Sequence, residues 1–253
     1  MGITKKKSKN VLRTRFNVNS LRGFFFRRAK GKILEIGPFN RPAVKNAVYF
    51  DIYDKQGLIA VARDARRDIK GIPEIDYVDP DGNLTVVDEK FNAVVSSHVI
   101  EHQPDLIRHL QHVSNLLFDS GLYYLAIPDK RFCFDHFFDV STPEDIFSAI
   151  GRTTHSWETI IRHFSKTTHN NARKHWLGMH SRHLSPHDLS QRELAAKNAF
   201  ESGKYVDAHA WQFTPRSFIE IVDTIGARVG LVLDEVYETP PFHQEFMACL
   251  RKI

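Results

Sequence analysis

Three short clusters along this 253-residue chain combine residue types that could do chemistry. The first is Glu35-Ile36-Gly37, the second is Asp51 at the end of another apolar run, and the third is Ser97-His98-Val99-Ile100-Glu101-His102. Gly37 would let a ligand approach the backbone, and Glu35 sets a carboxylate beside it. A carboxylate at position 51 can accept hydrogen bonds from both hydroxyls of a ribose, so the pair suits an adenosine-bearing ligand. A dinucleotide would want Gly-x-Gly-x-x-Gly, because its pyrophosphate rests on backbone amides at a helix start, and only Gly37 is present here. The expected ligand is therefore an adenosine compound without phosphate. His98-Val99-Ile100-Glu101-His102 also spells H-x-x-E-H, a zinc-peptidase signature. Two histidines four apart share a metal only on a helix, whereas an apolar strand runs into this segment and Pro104 follows it. A strand-to-helix turn is expected, and no metal is assigned.

The elements that must position these clusters are legible from residue 32 onward, where short apolar runs alternate with helical stretches. Residues 32–36, 47–52, 75–78, 91–97 and 122–127 read as strands, and 91–97 is apolar enough for the middle of a parallel sheet. Pro104 can open a helix whose Leu106, Leu110, Val113 and Leu117 share one face, with Ser120-Gly121 ending it. Residues 214–225 read as a helix, and 229–237 and 245–251 as strands joined around Thr239-Pro240-Pro241, close enough for an antiparallel hairpin. The pattern predicts an α/β fold: a Rossmann-like, doubly wound, mostly parallel sheet with an antiparallel C-terminal hairpin. Ligands bind such sheets beyond the carboxyl ends of the strands, where all three clusters fall. Residues 131–208 differ in character: they hold eight of the fourteen histidines and lack strand signals. They are expected to form an inserted His-rich helical cap, dividing the main domain into 32–130 and 209–253 behind an N-terminal arm of residues 1–31.

Taken in order, Glu35-Ile36-Gly37, Asp51, the segment from Ser97 through His102 to Gln103-Pro104-Asp105, and Gly121 through Ile127-Pro128 resemble the class I S-adenosylmethionine-dependent methyltransferases. The resemblance covers about residues 32–130 and, more faintly, 209–253. Ile127-Pro128-Asp129-Lys130-Arg131-Phe132, followed by Phe134-Asp135-His136-Phe137, is similar to a bacterial subgroup associated with surface-polysaccharide synthesis. The resemblance implies S-adenosylmethionine as cofactor. It puts Glu35 and Gly37 on the methionine portion, Asp51 on the ribose hydroxyls, Asp79, Asp81 and Asn83 near the adenine, and Ser97 and His98 beside the reacting sulfur. Many members carry two or three glycines where this chain has Gly37-Pro38-Phe39-Asn40-Arg41-Pro42. Methyl transfer is an in-line displacement at a sulfonium carbon, so the protein aligns the acceptor and, for a hydroxyl, takes its proton. His102 is the first expected base, with His98, Asp129 and His136 behind it, and Lys130 and Arg131 would orient an anionic acceptor. The amino-methylating signature Asn/Asp-Pro-Pro-Tyr is absent after residues 91–97, so the expected reaction is O-methylation of a sugar or glycan hydroxyl.

A chain 42% hydrophobic and 26% charged has ample material for a core, which excludes disorder along its length. No apolar run approaches the roughly 18 residues of a membrane-spanning helix and no secretory-type stretch opens the chain, so a cytoplasmic protein is expected. Cys133 and Cys249 are too few for a disulfide framework, and two buried thiols in a reducing compartment are expected. The net charge of +5 is unevenly spread: residues 1–32 hold eleven Lys or Arg and no acid, so the remainder stands at −6. In that arm Leu21, Phe24, Phe25 and Phe26 lie among Arg22, Arg27 and Arg28, a mixture suited to the anionic inner face of a membrane where lipid-linked glycans are built. A plainer expectation is that the aromatics dock on the domain. The acidic remainder carries no strong nucleic-acid signal. An RNA-binding or RNA-modifying protein using the basic arm is one alternative, and a non-catalytic domain of the same fold is another. In the cap, His180 and His183 have the spacing of one helical turn, but no carboxylate or cysteine completes a metal set. Trp157, Trp176 and Trp211 could stack on sugar faces or simply pack. Nothing in the sequence sets an oligomeric state.

Overall fold

The computed structural model describes residues 12–13, 21–181 and 184–253. His183 and most of residues 1–20 lie outside the described residues, and with them the His180/His183 spacing and much of the basic arm. Eight strands make one sheet: β1 (Leu12–Arg13), β2 (Ile33–Ile36), β3 (Val48–Asp51), β4 (Tyr77–Val78), β5 (Phe91–Ser97), β6 (Leu117–Pro128), β7 (Leu231–Tyr237) and β8 (Glu245–Lys252). Their spatial order is β1-β7-β8-β6-β5-β2-β3-β4, and only the pairings of β8 with β6 and β7 are antiparallel. The expected doubly wound sheet with a C-terminal hairpin is thus observed. The chain runs outward from β2 through β3 to β4, then returns to β5 and β6 on the other side. That reversal opens a crevice at the carboxyl ends of β2 and β5.

The apolar run of β5 follows from burial on both faces. Val94 belongs to one core cluster with Leu110 and Val113 of helix α3 (Leu106–Leu116) and Ile221 of helix α8 (Pro215–Val229), while Ala93 and Val95 belong to another on the opposite face. The second cluster is roofed by the arm. Helix α1 (Leu21–Phe26) puts Leu21, Phe25 and Phe26 against Ala93, Val95, Tyr124, Ala126, Tyr237 and Met247. The ring of Phe25 meets Tyr124 and Tyr237 edge-on at 5.2 and 5.8 Å. Residues 21–29 therefore belong to the folded domain, which corrects the arm boundary expected at residue 31. Small residues on β5 and β6 leave room for two rings, and without them that face of the sheet would meet water. Three of the four apolar residues expected to meet a membrane are buried in the protein instead. Four of the basic side chains are also engaged: Arg13 and Arg28 pair with the buried Glu235, Arg22 with Glu245, and Lys32 with Glu89. Phe25→Ala should cost about 3–5 kcal/mol of stability by opening this cluster, read from the guanidinium unfolding midpoint. A loss under about 1 kcal/mol would mean that α1 does not carry that face.

Two element ends differ from expectation. Helix α3 stops at Leu116, and residues 117–121 already belong to β6, where the pairing with β5 shifts register between Phe91 and Ala93 and Ser120 takes φ +62°. Helix α8 runs past Gly226 to Val229 and is closed by Gly230 at φ +71°, a left-handed cap that suits glycine. The cap contains α4 (Pro143–Ser148), α5 (Trp157–Lys166), α6 (Ala172–Trp176) and α7 (Pro186–Glu201). Thr142, Ser156, Asn171 and Ser185 each accept the backbone N–H three residues on, which is why these segments start where they do; α2 (Lys55–Asp64) is started likewise by Asp54. Cys133 and Cys249 are free and buried. Trp211 is in the core, Trp176 stacks on Phe132 at 4.0 Å, and Trp157 meets Phe200 edge-on. No helix among the described residues is long and apolar enough to cross a membrane.

Candidate active site

A cleft of about 390 Å³ opens over the carboxyl ends of β2, β3 and β5, lined by Gly37, Asp51, His98 and His102 from the sheet side and by Tyr205 and Asp207 from the cap. Gly37 sits at φ +68°, and a Cβ there would come within 2.9 Å of Val99 Cγ2, so both its backbone and the packing demand glycine. Asp51 is nearly buried, and its Oδ1 accepts from the N–H groups of Ile52 and Tyr53 at 2.7 and 3.3 Å. Burial pushes its carboxyl up to about 6, against the lowering effect of those two N–H groups. Its Oδ2 has no hydrogen-bond partner among the described residues and is available to a ligand in the cleft. A carboxylate beside a side-chain-free backbone, under an apolar wall of Phe39, Leu58 and Leu84, fits an adenosyl group.

Several residues expected at the cofactor are used otherwise. Both oxygens of Glu35 accept backbone N–H groups, from Ala43 at 2.7 Å and Val44 at 2.9 Å, so this buried carboxylate holds the loop after β2 in place and does not line the cleft. Asp79 accepts from Asp81 and Asn83 N–H at 3.0 and 2.9 Å, and Asn83 starts the 3-10 turn Leu84–Val86. That loop meets the cleft through Gly82 and Leu84 instead. Ser97 Oγ accepts from Arg22 at 2.7 Å, away from the cleft.

The expected bases divide in the same way. Asp129 is fully buried, grips the Arg131 guanidinium at 2.6 to 3.2 Å and accepts from Thr239 Oγ1 at 2.6 Å, so it has neither access nor spare acceptor capacity. Lys130 Nζ donates to the His136 carbonyl at 2.8 Å, and burial lowers its pKa. Neither Lys130 nor Arg131 lines the cleft, and the guanidinium of the exposed Arg131 is paired with Asp129 and Glu238. His136 donates Nδ1–H to the Arg131 carbonyl at 2.7 Å and stacks on His180 at 3.7 Å, within the cap. Only His98 and His102 remain at the cleft.

These two histidines belong to a buried group that the sequence did not reveal as a unit. His98 follows β5 at φ +55°, a left-handed conformation that a non-glycine residue holds only under surrounding constraint. The 3-10 turn Ile100–His102 comes next, confirming a turn rather than a metallopeptidase helix. The Ala210 and Trp211 N–H groups donate to the Glu101 carbonyl at 2.7 and 3.1 Å, and Trp211 Nε1 donates to the Gln103 carbonyl at 2.6 Å. These bonds draw the returning chain onto the turn and bring His209 beside Glu101. Glu101 has no exposed surface, and neither carboxylate oxygen has a hydrogen-bond partner among the described residues. Its Oε1 lies 3.5 Å from His98 Nδ1, 3.7 Å from His102 Nε2 and 3.9 Å from His209 Nε2.

Each imidazole meets a second carboxylate on its far side: His98 Nε2 bonds Glu245 at 2.8 Å, His102 Nδ1 lies 3.0 Å from Asp207, and His209 Nδ1 bonds Asp135 at 2.5 Å. Burial disfavours the cationic form of His98 and His102, but Glu245, Asp207 and Glu101 outweigh it and raise both above the ordinary histidine value. Burial likewise opposes ionisation of Glu245, yet His98 and Arg22 hold it down to about 2, and His102 holds Asp207 down to about 2. His155 and His163, buried in the cap without comparable partners, are pushed down to about 4. Of this group, Glu101 was visible within H-x-x-E-H, whereas nothing in the sequence joined His209, Asp207, Asp135 and Glu245 to it, because contacts spanning 74 to 147 positions bring them in.

A profile described as a methyltransferase domain matches residues 12–230, and the chain belongs to that family. It is a methyltransferase dependent on S-adenosylmethionine. No curated protein matches the chain. Among solved structures it is similar to an S-adenosylmethionine-dependent methyltransferase from Mesorhizobium loti, with 14% identity over 87% of this chain and 90% of that one at a TM-score of 0.43. It is also similar to magnesium protoporphyrin IX methyltransferase from Synechocystis PCC 6803 with bound SAH, with 10% identity over 93% and 81% at a TM-score of 0.41. A third is the methyltransferase CalH in complex with SAH, 16% identical over 92% of this chain but only 55% of that one, so the chain spans about half its length, at a TM-score of 0.41. These likenesses concern the fold.

Proposed function

We propose that this methyltransferase acts on a hydroxyl oxygen of a sugar or glycan, with His102 receiving the hydroxyl proton. The supporting observation is the seating of His102 on the cofactor cleft, its Nδ1 turned to Asp207 at the rim and its Nε2 toward the buried Glu101. When bound, S-adenosylmethionine supplies an electrophilic methyl group. Asp51 and Gly37 hold the nucleoside end, which directs the reacting end toward His98 and His102. An acceptor hydroxyl entering between sheet and cap would meet the Asp207 side of the imidazole and give its proton to Nδ1 while the methyl carbon exchanges its bond to sulfur for one to oxygen, and Glu101 would steady the imidazolium so formed. Tyr205 and the walls around His155 give the acceptor a partly polar channel continuous with the cleft, as a hydroxylated ring requires.

The acceptor class is tested by offering nucleotide-linked sugars and lipid-linked glycans with S-adenosylmethionine and mapping the added methyl group by tandem mass spectrometry. A methyl ether on a ring hydroxyl is expected. Methylation confined to nitrogen acceptors would overturn the reading. A role at the membrane surface, as for the polysaccharide-associated subgroup, would rest on residues 1–20, since the aromatics of α1 are in the core. Deleting residues 1–20 should lower co-sedimentation with vesicles containing anionic lipid, and unchanged binding would remove the membrane from the proposal.

A further inference from the structure

We propose that Glu101, His102 and His209, joined by His98, form the binding site of a divalent first-row transition-metal ion. One donor atom from each of Glu101, His102 and His209 lies within 4.8 Å of the other two. The separations decide what the group is for. If the imidazoles were N–H donors to Glu101, charge-assisted bonds of about 2.7–2.9 Å would be expected. The three nitrogens instead stand 3.5, 3.7 and 3.9 Å from Glu101 Oε1, too far for hydrogen bonds. Donors sharing one ion at about 2.1 Å are spread about 3.0–3.4 Å from each other, which slight ring rotations would reach.

The outer contacts agree. A carboxylate only accepts, so in the neutral, metal-binding form of the rings Glu245 and Asp135 keep the proton on the far nitrogen of His98 and His209, and the inner nitrogen of each turns a lone pair toward Glu101. Lone pairs converging on a buried carboxylate with no hydrogen-bond partner repel one another unless a cation lies among them. Carboxylate behind histidine behind metal is the usual arrangement that fixes such ligands. Imidazole nitrogens with one carboxylate suit manganese, iron, cobalt or zinc better than magnesium or calcium, which prefer oxygen.

The ion rests on the proposed O-methylation only for its role: beside the cofactor cleft it would bind the acceptor oxygen and make its proton easier to lose, and because a His102 bound through Nε2 already carries its proton on Nδ1, the metal-loaded protein would pass the hydroxyl proton to Asp207 at the rim of the cleft. Its presence is tested without that reaction. The full chain is stripped with chelator, dialysed against Co²⁺ or Mn²⁺ alone, and assayed for bound metal by mass spectrometry and, for Co²⁺, by visible absorption. About one ion per chain and ligand-field bands are expected, with Glu101→Gln and His209→Ala each weakening binding at least 100-fold and Asp135→Asn about 10- to 100-fold. S-adenosylmethionine binding by calorimetry reports that each variant is folded. No stoichiometric metal in the wild type would overturn the site. So would metal kept by Glu101→Gln and His209→Ala but lost from His175→Ala, since that would locate the ion at the His136, His175 and His180 cluster of the cap. Metal binding without methylation of any sugar would leave the site standing and the acceptor assignment wrong.

Discussion

His102→Ala is expected to lower turnover about 100-fold or more while leaving S-adenosylmethionine affinity within about threefold, because positioned proton transfer contributes roughly that much. The imidazole borders the cleft that Asp51 and Gly37 also line, and in the proposed binding mode those two residues, not His102, hold the nucleoside. The truncation therefore removes the proton acceptor without touching the adenosyl seat. Single-turnover rates and calorimetry on the same preparation make the check, and a variant with full turnover would move the base elsewhere. Asp207→Asn sharpens the result. Asp207 approaches His102 from the rim and stabilises the imidazolium, so its neutralisation should lower the His102 pKa and move the acid limb of the rate profile toward lower pH.

Asp51→Ala should weaken S-adenosylmethionine binding by about 1.5–3 kcal/mol, the worth of hydrogen bonds to a charged group, or about 10- to 150-fold in Kd. Because burial lifts this carboxyl from its ordinary 3.8 to about 6, affinity should also decline as pH falls through 6, where the carboxylate takes up a proton. The sign for the ligand-free protein is opposite. A carboxyl whose folded value is raised contributes stability below about pH 3.8 and loses it as pH rises through 6, so Asp51→Ala should leave the free protein as stable or more stable at pH 7. A Kd unchanged in the variant, or indifferent to pH between 5 and 7 by calorimetry, would count against Asp51 as the ribose anchor.

Asp51 and Gly37 were both legible from sequence because each is placed by its immediate neighbours. Asp51 ends a short apolar run, and a parallel strand buried in a sheet delivers its last residue to the carboxyl rim whatever the rest of the chain does. Gly37 is equally local, since its left-handed φ belongs to the turn after β2. Glu35 shares that stretch, but nothing in its own spacing says that the loop eight residues on folds back and gives both of its oxygens backbone N–H partners. Asp129 and Arg131 behave in the same manner: adjacent charges look like an acceptor clamp, yet the buried Asp129 takes up Thr239 and the guanidinium of the exposed Arg131.

Periodicity and strand-end chemistry alone determined the sheet, its antiparallel finish, the helical insertion and the place of Asp51 at the carboxyl rim, because each depends on residues within a few positions of one another. Only the tertiary structure decided that the aromatics of residues 21–26 roof the sheet, and that Glu101, His98, His102 and His209 converge with three outer carboxylates behind them. Those arrangements are made by backbone bonds from Ala210 and Trp211 to a turn more than one hundred residues earlier, and by hydrophobic burial, which has no direction and leaves no spacing in the chain to mark its partner.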